Sequence, residues 1–358
     1  MIFNINIYFK NLYNFFIFLS LIIFFFSTAK AQGKAFDISD IEISRPFEIN
    51  FDKNKVIDEG FKKAFSELVL TIVNSTDQNK INKTRLNEIK AMINSFTIKE
   101  EKFIDEIYHL NLGVSFNKKE VFKYLAKKNI YPSIPIKNKF LFIPIIIDEN
   151  KKDLLIFNNN KVFDEWNNFS ESYHLIEYIL PTEVLEDLDL IKKKFEFIEQ
   201  YDFKEITEKY DLKDSIISLI FKNDNQVRVL SRITVNDDIF LKNQTFLNLD
   251  ISDQEKIQTL IKNLKIIYED YWKNSNQINT GIKLSLNIKI KSHDNIRISN
   301  FEKILNKTDL VYDFNISKFD KDFVYFNIIF NGTPSNFLKL MSESNYNFNT
   351  QKKFWTIK

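Results

Sequence analysis

The spacing of apolar positions predicts helices alternating with strands along most of the chain. Between residues 57 and 72, apolar side chains recur every three or four positions, which places one hydrophobic stripe along a helix. The segment Ile257–Tyr271 repeats that spacing, and Ser252 stands three residues before Glu255, as the cap of a capping box does. From Ile282 to Ile290, apolar and polar residues alternate strictly, which indicates a half-buried strand.

Residues 32–136 are predicted to form an N-terminal α/β unit, or α+β domain. Its expected elements are strands over 41–49 and 107–116 and helices over 57–72, 83–96 and 118–127. The segment Tyr131–Lys139 contains two prolines and no helical period, so we expect the first domain boundary there.

Residues 137–278 are predicted to form a mixed α/β domain. Its expected strands cover 140–147, 154–157, 175–180, 215–221, 227–235 and 239–249, and its helices cover 161–169, 182–193 and 203–210, with a last helix after Ser252. Alternating elements followed by a meander favour a mixed sheet with helices packed on it. The polar segment Asn274–Gly281 marks the second boundary.

Residues 279–358 show the element order βαββαβ, which predicts a C-terminal ferredoxin-like domain. The expected strands are 282–291, 311–319, 323–330 and 354–357, with helices around 298–305 and after Thr333-Pro334, where an N-cap precedes a proline. The predicted fold class is therefore α+β and multidomain.

The first 31 residues have the pattern of a secretory signal peptide. Lys10 precedes the apolar run Phe15–Phe26, and the small residues Ala29 and Ala31 follow with the spacing of a cleavage site. The run is shorter than the ~20 residues of a membrane-spanning helix. We expect cleavage after Ala31 and a periplasmic protein whose mature chain has no membrane span, with retention of the segment as an anchor as the alternative.

Charge and composition exclude several classes of function. The formal net charge is +2, and without Lys10 and Lys30 the basic and acidic residues both number 48. A neutral chain lacks the basic surface that nucleic acid requires, so no nucleic-acid partner is expected.

The chain has no Cys, which excludes disulfides, thiolate metal sites and a cysteine nucleophile. It also has no phosphate-binding glycine motif and no zinc-ligand spacing, so no cofactor or metal site is predicted.

One acidic cluster is a weak candidate site. Glu183 and Asp187 are four residues apart, so on a helix they share a face and could share a cation or an acid/base task. The alternative is a solvated helix N-terminus, because the same helix ends in Lys192–Lys194 and this polarity complements the helix dipole. No catalytic residue is assigned.

Histidine and tryptophan side chains have structural interpretations. His109 lies in an apolar strand, where a hydrogen-bonded role is expected, and His293 looks like a turn residue. Trp166 and Trp272 fall on predicted helices and are expected in the core, whereas an exposed Trp would mark a binding surface.

Three short segments carry a resemblance to a known family. They are Gly60–Leu68 within Phe47–Asn74, Ile179–Pro181 followed by Leu185–Asp189, and Glu205–Tyr210 leading into Ser215–Phe221. On these segments the mature chain resembles an exported proteobacterial family catalogued as domain of unknown function 2066. It departs from that family at Thr71–Ser75, where an Arg and a Gly are expected, and at Val227–Leu230, which replaces a Trp. The resemblance implies an exported α/β protein and brings no known activity.

In fold, the middle domain is similar to the N-terminal domain of the Tol-system protein TolB, a kind of domain that serves as a docking surface.

Three hypotheses of function follow. The first is a non-catalytic periplasmic module that binds another periplasmic or envelope protein, since no catalytic constellation is visible. The second is an envelope-directed hydrolase, which requires a cleft where Glu183, Asp187 and a histidine converge. The third is a small-molecule or glycan binder, which requires a deep apolar pocket with an exposed Trp166 or Trp272.

Overall fold

A computed structural model describes residues 36–157, 159–223 and 226–357 of this protein. The predicted signal peptide, with Ala29 and Ala31, lies outside these ranges. Within them the chain forms three β-sheets and ten α-helices, so it is a mixed α+β protein, as predicted. No helix in the described ranges is both long enough and apolar enough to span a bilayer.

The first sheet is antiparallel and carries its helices on one face. Its elements are β1 (Asp37–Pro46), α1 (Lys53–Ile72), α2 (Ser75–Gln78), α3 (Leu86–Met92), β2 (Ile93–Ile104), β3 (Ile107–Phe116) and α4 (Lys118–Lys127). The strand order is β1-β3-β2. Alternate residues of β3, from Tyr108 to Phe116, are buried in one core with the apolar stripe of α1. Gly60 allows α1 to lie close to the first sheet, because a Cβ at this position would collide with Leu112 on β3 and contact Ile43 on β1.

One element of this region differs from the sequence prediction. The helix expected over 83–96 ends at Met92, and the next twelve residues form β2, an edge strand. Most side chains of β2 are exposed, because β2 pairs with β3 alone. Phe96 nevertheless packs against Phe61 of α1, and Ile93 and Ile98 lie against the first core. An edge strand of this kind lacks the apolar alternation that identifies a half-buried strand.

The second sheet is mixed and has its parallel strands in the middle. Its elements are β4 (Asn138–Asp148), β5 (Asp153–Leu155), α5 (Lys161–Glu165), β6 (Ile176–Ile179), α6 (Leu185–Lys193), α7 (Lys204–Thr207), β7 (Asp214–Lys222), β8 (Gln226–Val235), β9 (Asp238–Leu247) and α8 (Gln254–Ser275). The order is β5-β4-β7-β8-β9, with β6 parallel to the first residues of β4. Strands β4 and β7 are nearly continuous apolar runs because separate hydrophobic clusters cover both faces of the sheet.

The start of α8 corrects a detail of the sequence analysis. Asp253, not Ser252, is the N-cap, since its side chain accepts hydrogen bonds from the amides of Glu255 and Lys256. The Ser252 hydroxyl instead donates to Asp250.

The elements of the third sheet are β10 (Leu284–Lys291), α9 (Asn295–Lys307), β11 (Val311–Phe319), β12 (Phe323–Phe330), α10 (Pro334–Glu343), β13 (Phe348–Asn349) and β14 (Trp355–Ile357). The strand order is β11-β12-β10-β14-β13. Thr333 caps α10 and Pro334 is its first residue, as predicted. Two short strands follow α10 where one was expected, and the last of them, β14, is parallel to β10.

Candidate functional site

A row of buried charges runs along one face of α8. Lys265, Glu269 and Lys273 are spaced four residues apart, so they lie on the same side of the helix. Each is 5% exposed or less. Buried charges are costly unless they are paired or hydrogen-bonded, and functional sites often contain them, so this row is a candidate site.

Lys265 is held by the segment that precedes β6. Its ammonium donates to the carbonyl oxygen of Phe169 at 2.6 Å and lies 5.4 and 5.1 Å from the ring centroids of Trp166 and Tyr178. Burial lowers the pKa of Lys265 to about 8, and the neighbouring Glu269 carboxylate opposes that shift. The contacts with two aromatic faces favour the charged form of the ammonium.

Glu269 anchors the start of β6 through the backbone. Its carboxylate accepts hydrogen bonds from the amides of Leu175, at 3.1 Å, and Ile176, at 3.0 Å. Burial raises the pKa of Glu269, while these amides and the flanking lysines act in the opposite direction. The carboxylate therefore supplies the partner for two buried N–H groups.

Residues at the end of α8 hold the junction between α1 and α2. Lys273 donates to the carbonyl oxygens of Leu70 and Val73, and burial lowers its pKa. Asp270 accepts from the amide of Ser75 at 2.9 Å and from its hydroxyl. These contacts join the first and second sheets through α1 and α8.

His174 lies beside this row and is kept neutral. Its Nδ1 accepts a hydrogen bond from the amide of Glu171 at 3.2 Å, which requires an unprotonated nitrogen. Burial, followed by the charges of Lys265 and Lys273, lowers the pKa of His174 to about 4.

The row on α8 is therefore engaged with backbone groups and braces the fold. Each of its three charged groups has a backbone partner, so none of them is left to face a substrate. The sequence analysis did not single out this row. A signal was present: Lys265, Glu269 and Lys273 each directly follow a residue of the buried stripe.

The acidic pair Glu183 and Asp187 does not form a shared site. Helix α6 begins at Leu185, so Glu183 precedes the helix and the helical spacing does not apply to the pair. Asp187 is 2% exposed and forms an ion pair with Lys209. Glu183 lines a shallow groove with Leu188 and Lys192. Among the described residues, no hydrogen bond or ion pair connects Glu183, Asp187 and a histidine.

The remaining candidates have structural environments. His109 Nδ1 lies 2.8 Å from the hydroxyl oxygen of Ser44 on the neighbouring strand. Trp166 is fully buried, and buried Trp272 donates from its indole nitrogen to the carbonyl oxygen of Ile136 at 2.7 Å. The parts of the chain that the structure describes contain no cluster of His, Asp or Glu able to hold a metal ion.

An exposed apolar surface lies at one end of the first sheet. We call it the apolar tip; its exposed members are Phe47, Ile49, Phe103, Ile104 and Ile107. The rings of Phe47 and Phe103 pack edge to face with centroids 4.7 Å apart. The amide of Phe47 donates to the carbonyl oxygen of Glu106 at 2.7 Å, so the end of β1 is fixed to the turn between β2 and β3. That turn consists of Asp105 and Glu106, both with positive φ, the geometry of a tight hairpin.

Comparisons with known proteins leave the function open. No family model matches the chain, and a search of curated proteins finds no match. A solved structure described as an uncharacterized protein is similar with a TM-score of 0.15 and 5% sequence identity, over 40% of this chain and 95% of that chain. That similarity carries no argument about fold or activity. The resemblance to the domain of unknown function 2066 stays a prediction from the sequence.

Proposed function

We propose that this protein is a non-catalytic interaction module of the bacterial cell envelope, exported to the periplasm, and that the apolar tip binds another envelope protein. The tip carries the proposal because it collects aromatic and branched side chains on the surface in one place. Contiguous exposed apolar patches are typical of interaction sites, whereas single exposed apolar residues are ordinary.

Packing contacts within the tip support this role. Phe47 packs against both Phe51, at 4.9 Å between centroids, and Phe103, and the tight hairpin turn fixes the strands beneath them. A surface already ordered before binding loses little conformational entropy when the partner arrives. Aromatic side chains of this kind provide much of the binding energy in protein interfaces.

We also propose that the folded chain comprises three domains, over 32–136, 137–278 and 279–358, with a ferredoxin-like domain last. In support, each of the three sheets has its own hydrophobic cluster or clusters. The order β10-α9-β11-β12-α10 matches the split βαβ arrangement, and the terminal pair β13–β14 adds to it.

The test is site-specific photo-crosslinking in cells. A photoreactive amino acid replaces Ile49 in the full chain, and the envelope fraction is examined after irradiation by mass spectrometry. We expect one protein crosslinked at Ile49 in near-stoichiometric yield, and we expect Phe103→Asp to abolish that product. N-terminal sequencing of the isolated protein checks export, with Gln32 expected as the first residue.

The matched control is Leu185→Asp, which changes another exposed apolar residue far along the chain from the tip. This variant should keep the crosslinked product. If Phe103→Asp and Leu185→Asp both retain the same partner in the same yield, the tip is not the docking surface and the proposal fails.

A further inference from the structure

Strand β9 forms a long free edge of the second sheet. All ten of its residues pair with β8 in a continuous register, and no other described strand pairs with its outer side. Four of its apolar side chains are exposed: Ile239 at 63%, Phe240 at 39%, Leu241 at 65% and Leu247 at 73%. A free edge of this length presents unpaired backbone groups that can accept another strand.

The other long edge strands of this protein are interrupted, whereas β9 is regular. Register shifts occur in the pairing of β1, β2 and β11 with their single neighbours. Such irregularities twist an edge and hinder pairing with a further chain. Strand β9 has no register shift and no proline, and Lys242 is the one basic residue within it.

The sequence of β9 is nearly symmetric about Asn243. Ile239-Phe240-Leu241 precedes the central Lys242-Asn243-Gln244, and Thr245-Phe246-Leu247 follows it. A twofold axis perpendicular to the sheet pairs two copies of a strand antiparallel and keeps each side chain on its own face. With the axis at Asn243, Ile239 lies opposite Leu247 of the second copy and Phe240 lies opposite Phe246.

The charge of Lys242 favours the register centred on Asn243 over the register centred on Lys242. With the axis at Asn243, Lys242 lies opposite Gln244 of the second copy. With the axis at Lys242, the two lysines would face each other directly, and like charges in directly opposed positions are destabilising.

We propose that a second copy of this chain pairs with β9 in an antiparallel register centred on Asn243, which makes one sheet continuous through two protomers. Cross-strand pairs of aromatic and branched residues then cover both ends of the shared ladder. The interface is independent of the apolar tip, so either proposal can fail alone.

The test uses the absence of native cysteine. In the full chain, Asn243→Cys places two thiols directly opposite each other, within the ~4.4–6.8 Å between Cα atoms that a disulfide requires. The control Leu241→Cys places its two thiols four residues apart along the ladder, about 14 Å. Under mild oxidation we expect the Asn243→Cys chain to form a covalent dimer in high yield and the Leu241→Cys chain to form little.

Sedimentation equilibrium gives the second readout. We expect the unmodified chain to be a dimer, Leu241→Lys to be a folded monomer, and Ile316→Lys on the edge strand β11 to remain a dimer. Circular dichroism confirms that both lysine variants are folded. A monomeric unmodified chain, or a dimer in which Asn243→Cys crosslinks no better than Leu241→Cys, would overturn the proposal.

Discussion

Lys273 on α8 donates to the carbonyl oxygen of Leu70 at 2.5 Å, although the two residues are 203 positions apart in the chain. Its ammonium also reaches the carbonyl oxygen of Val73, the C-cap residue of α1. One turn earlier on α8, the Asp270 carboxylate accepts from the amide of Ser75, the first residue of α2. A cation at a helix C-terminus and an anion at a helix N-terminus both complement the helix dipole. Residues within one turn of α8 therefore cap the C-terminal end of α1 and the N-terminal end of α2.

Replacing Lys273 with Met should strongly destabilise the fold. The substitution leaves two buried carbonyl groups without their donor and removes a positive charge that favours ionised Glu269. Removing one member of a buried charged network costs about 3–5 kcal/mol. Urea unfolding followed by circular dichroism measures the free energy of unfolding.

The control for this change is Lys262→Met, which makes the same substitution at an exposed position of the same helix. Its effect should stay within about 0.5 kcal/mol, as for most surface substitutions. Equal effects of the two variants would show that Lys273 does not brace α1 against α8.

His174 should make stability depend on pH between about 6.5 and 4. The folded protein holds the pKa of His174 at about 4, mainly because the ring is buried and secondly because Lys265 and Lys273 are nearby. In the unfolded chain the pKa is about 6.5. Below that pH the unfolded chain binds a proton that the folded chain does not, so the free energy of unfolding falls as the pH drops, and the loss is complete below about pH 4.

Comparison with His174→Asn isolates this contribution. Asparagine keeps an acceptor for the Glu171 amide but cannot titrate. The stability of the unmodified chain relative to this variant should therefore decline between pH 7 and pH 4, by on the order of 2–3 kcal/mol. A difference between the unmodified chain and His174→Asn that is constant across this range would contradict the assignment.

Where a single face of an element is buried, the sequence predicts the element well. The strand over Ile107–Phe116, the helix over Lys118–Lys127 and the strand β12 have the expected bounds. In these segments the periodicity of the side chains reports directly on what each face contacts. The strand β2 was not predicted, because most of its side chains are exposed and its sequence has no regular apolar alternation.

Sites that depend on tertiary contacts were harder to find from the sequence. The charged row on α8 is buried because partners from residues 70 to 176 surround it, and local spacing cannot reveal those partners. For Asp187 the sequence analysis made the opposite error, because it suggested a functional role for a residue that is structural. Its spacing from Glu183 suggested a shared task, whereas its burial against Lys209 makes it part of the packing.

Breaking the Asp187–Lys209 pair should lower stability. In Lys209→Met the buried Asp187 carboxylate loses its donor, and its other oxygen already has no partner among the described residues. An unpaired buried carboxylate is unfavourable, so the urea midpoint should decrease. The control Lys204→Met breaks an exposed ion pair with Glu208 nearby, which should change little. If Lys204→Met lowers the midpoint as much as Lys209→Met does, the burial of Asp187 is not the cause.

The hydroxyl of Tyr268 connects α8 to the centre of the second sheet, and its removal should be measurable. It lies 3.0 Å from the hydroxyl of Ser218 on β7 and 2.8 Å from that of Ser231 on β8, and all three residues are buried. Tyr268→Phe leaves two buried serine hydroxyls without this partner, which costs about 1–3 kcal/mol. The matched control is Tyr271→Phe, one turn along α8, where the ring packs on Phe240 and the same oxygen is removed at a half-buried position. The free energies of unfolding of the two variants, measured with urea, should differ by at least about 1 kcal/mol, which is the contribution of one buried hydrogen bond. Indistinguishable variants would mean that packing alone, without this hydrogen-bonded contact, fixes α8 on the sheet.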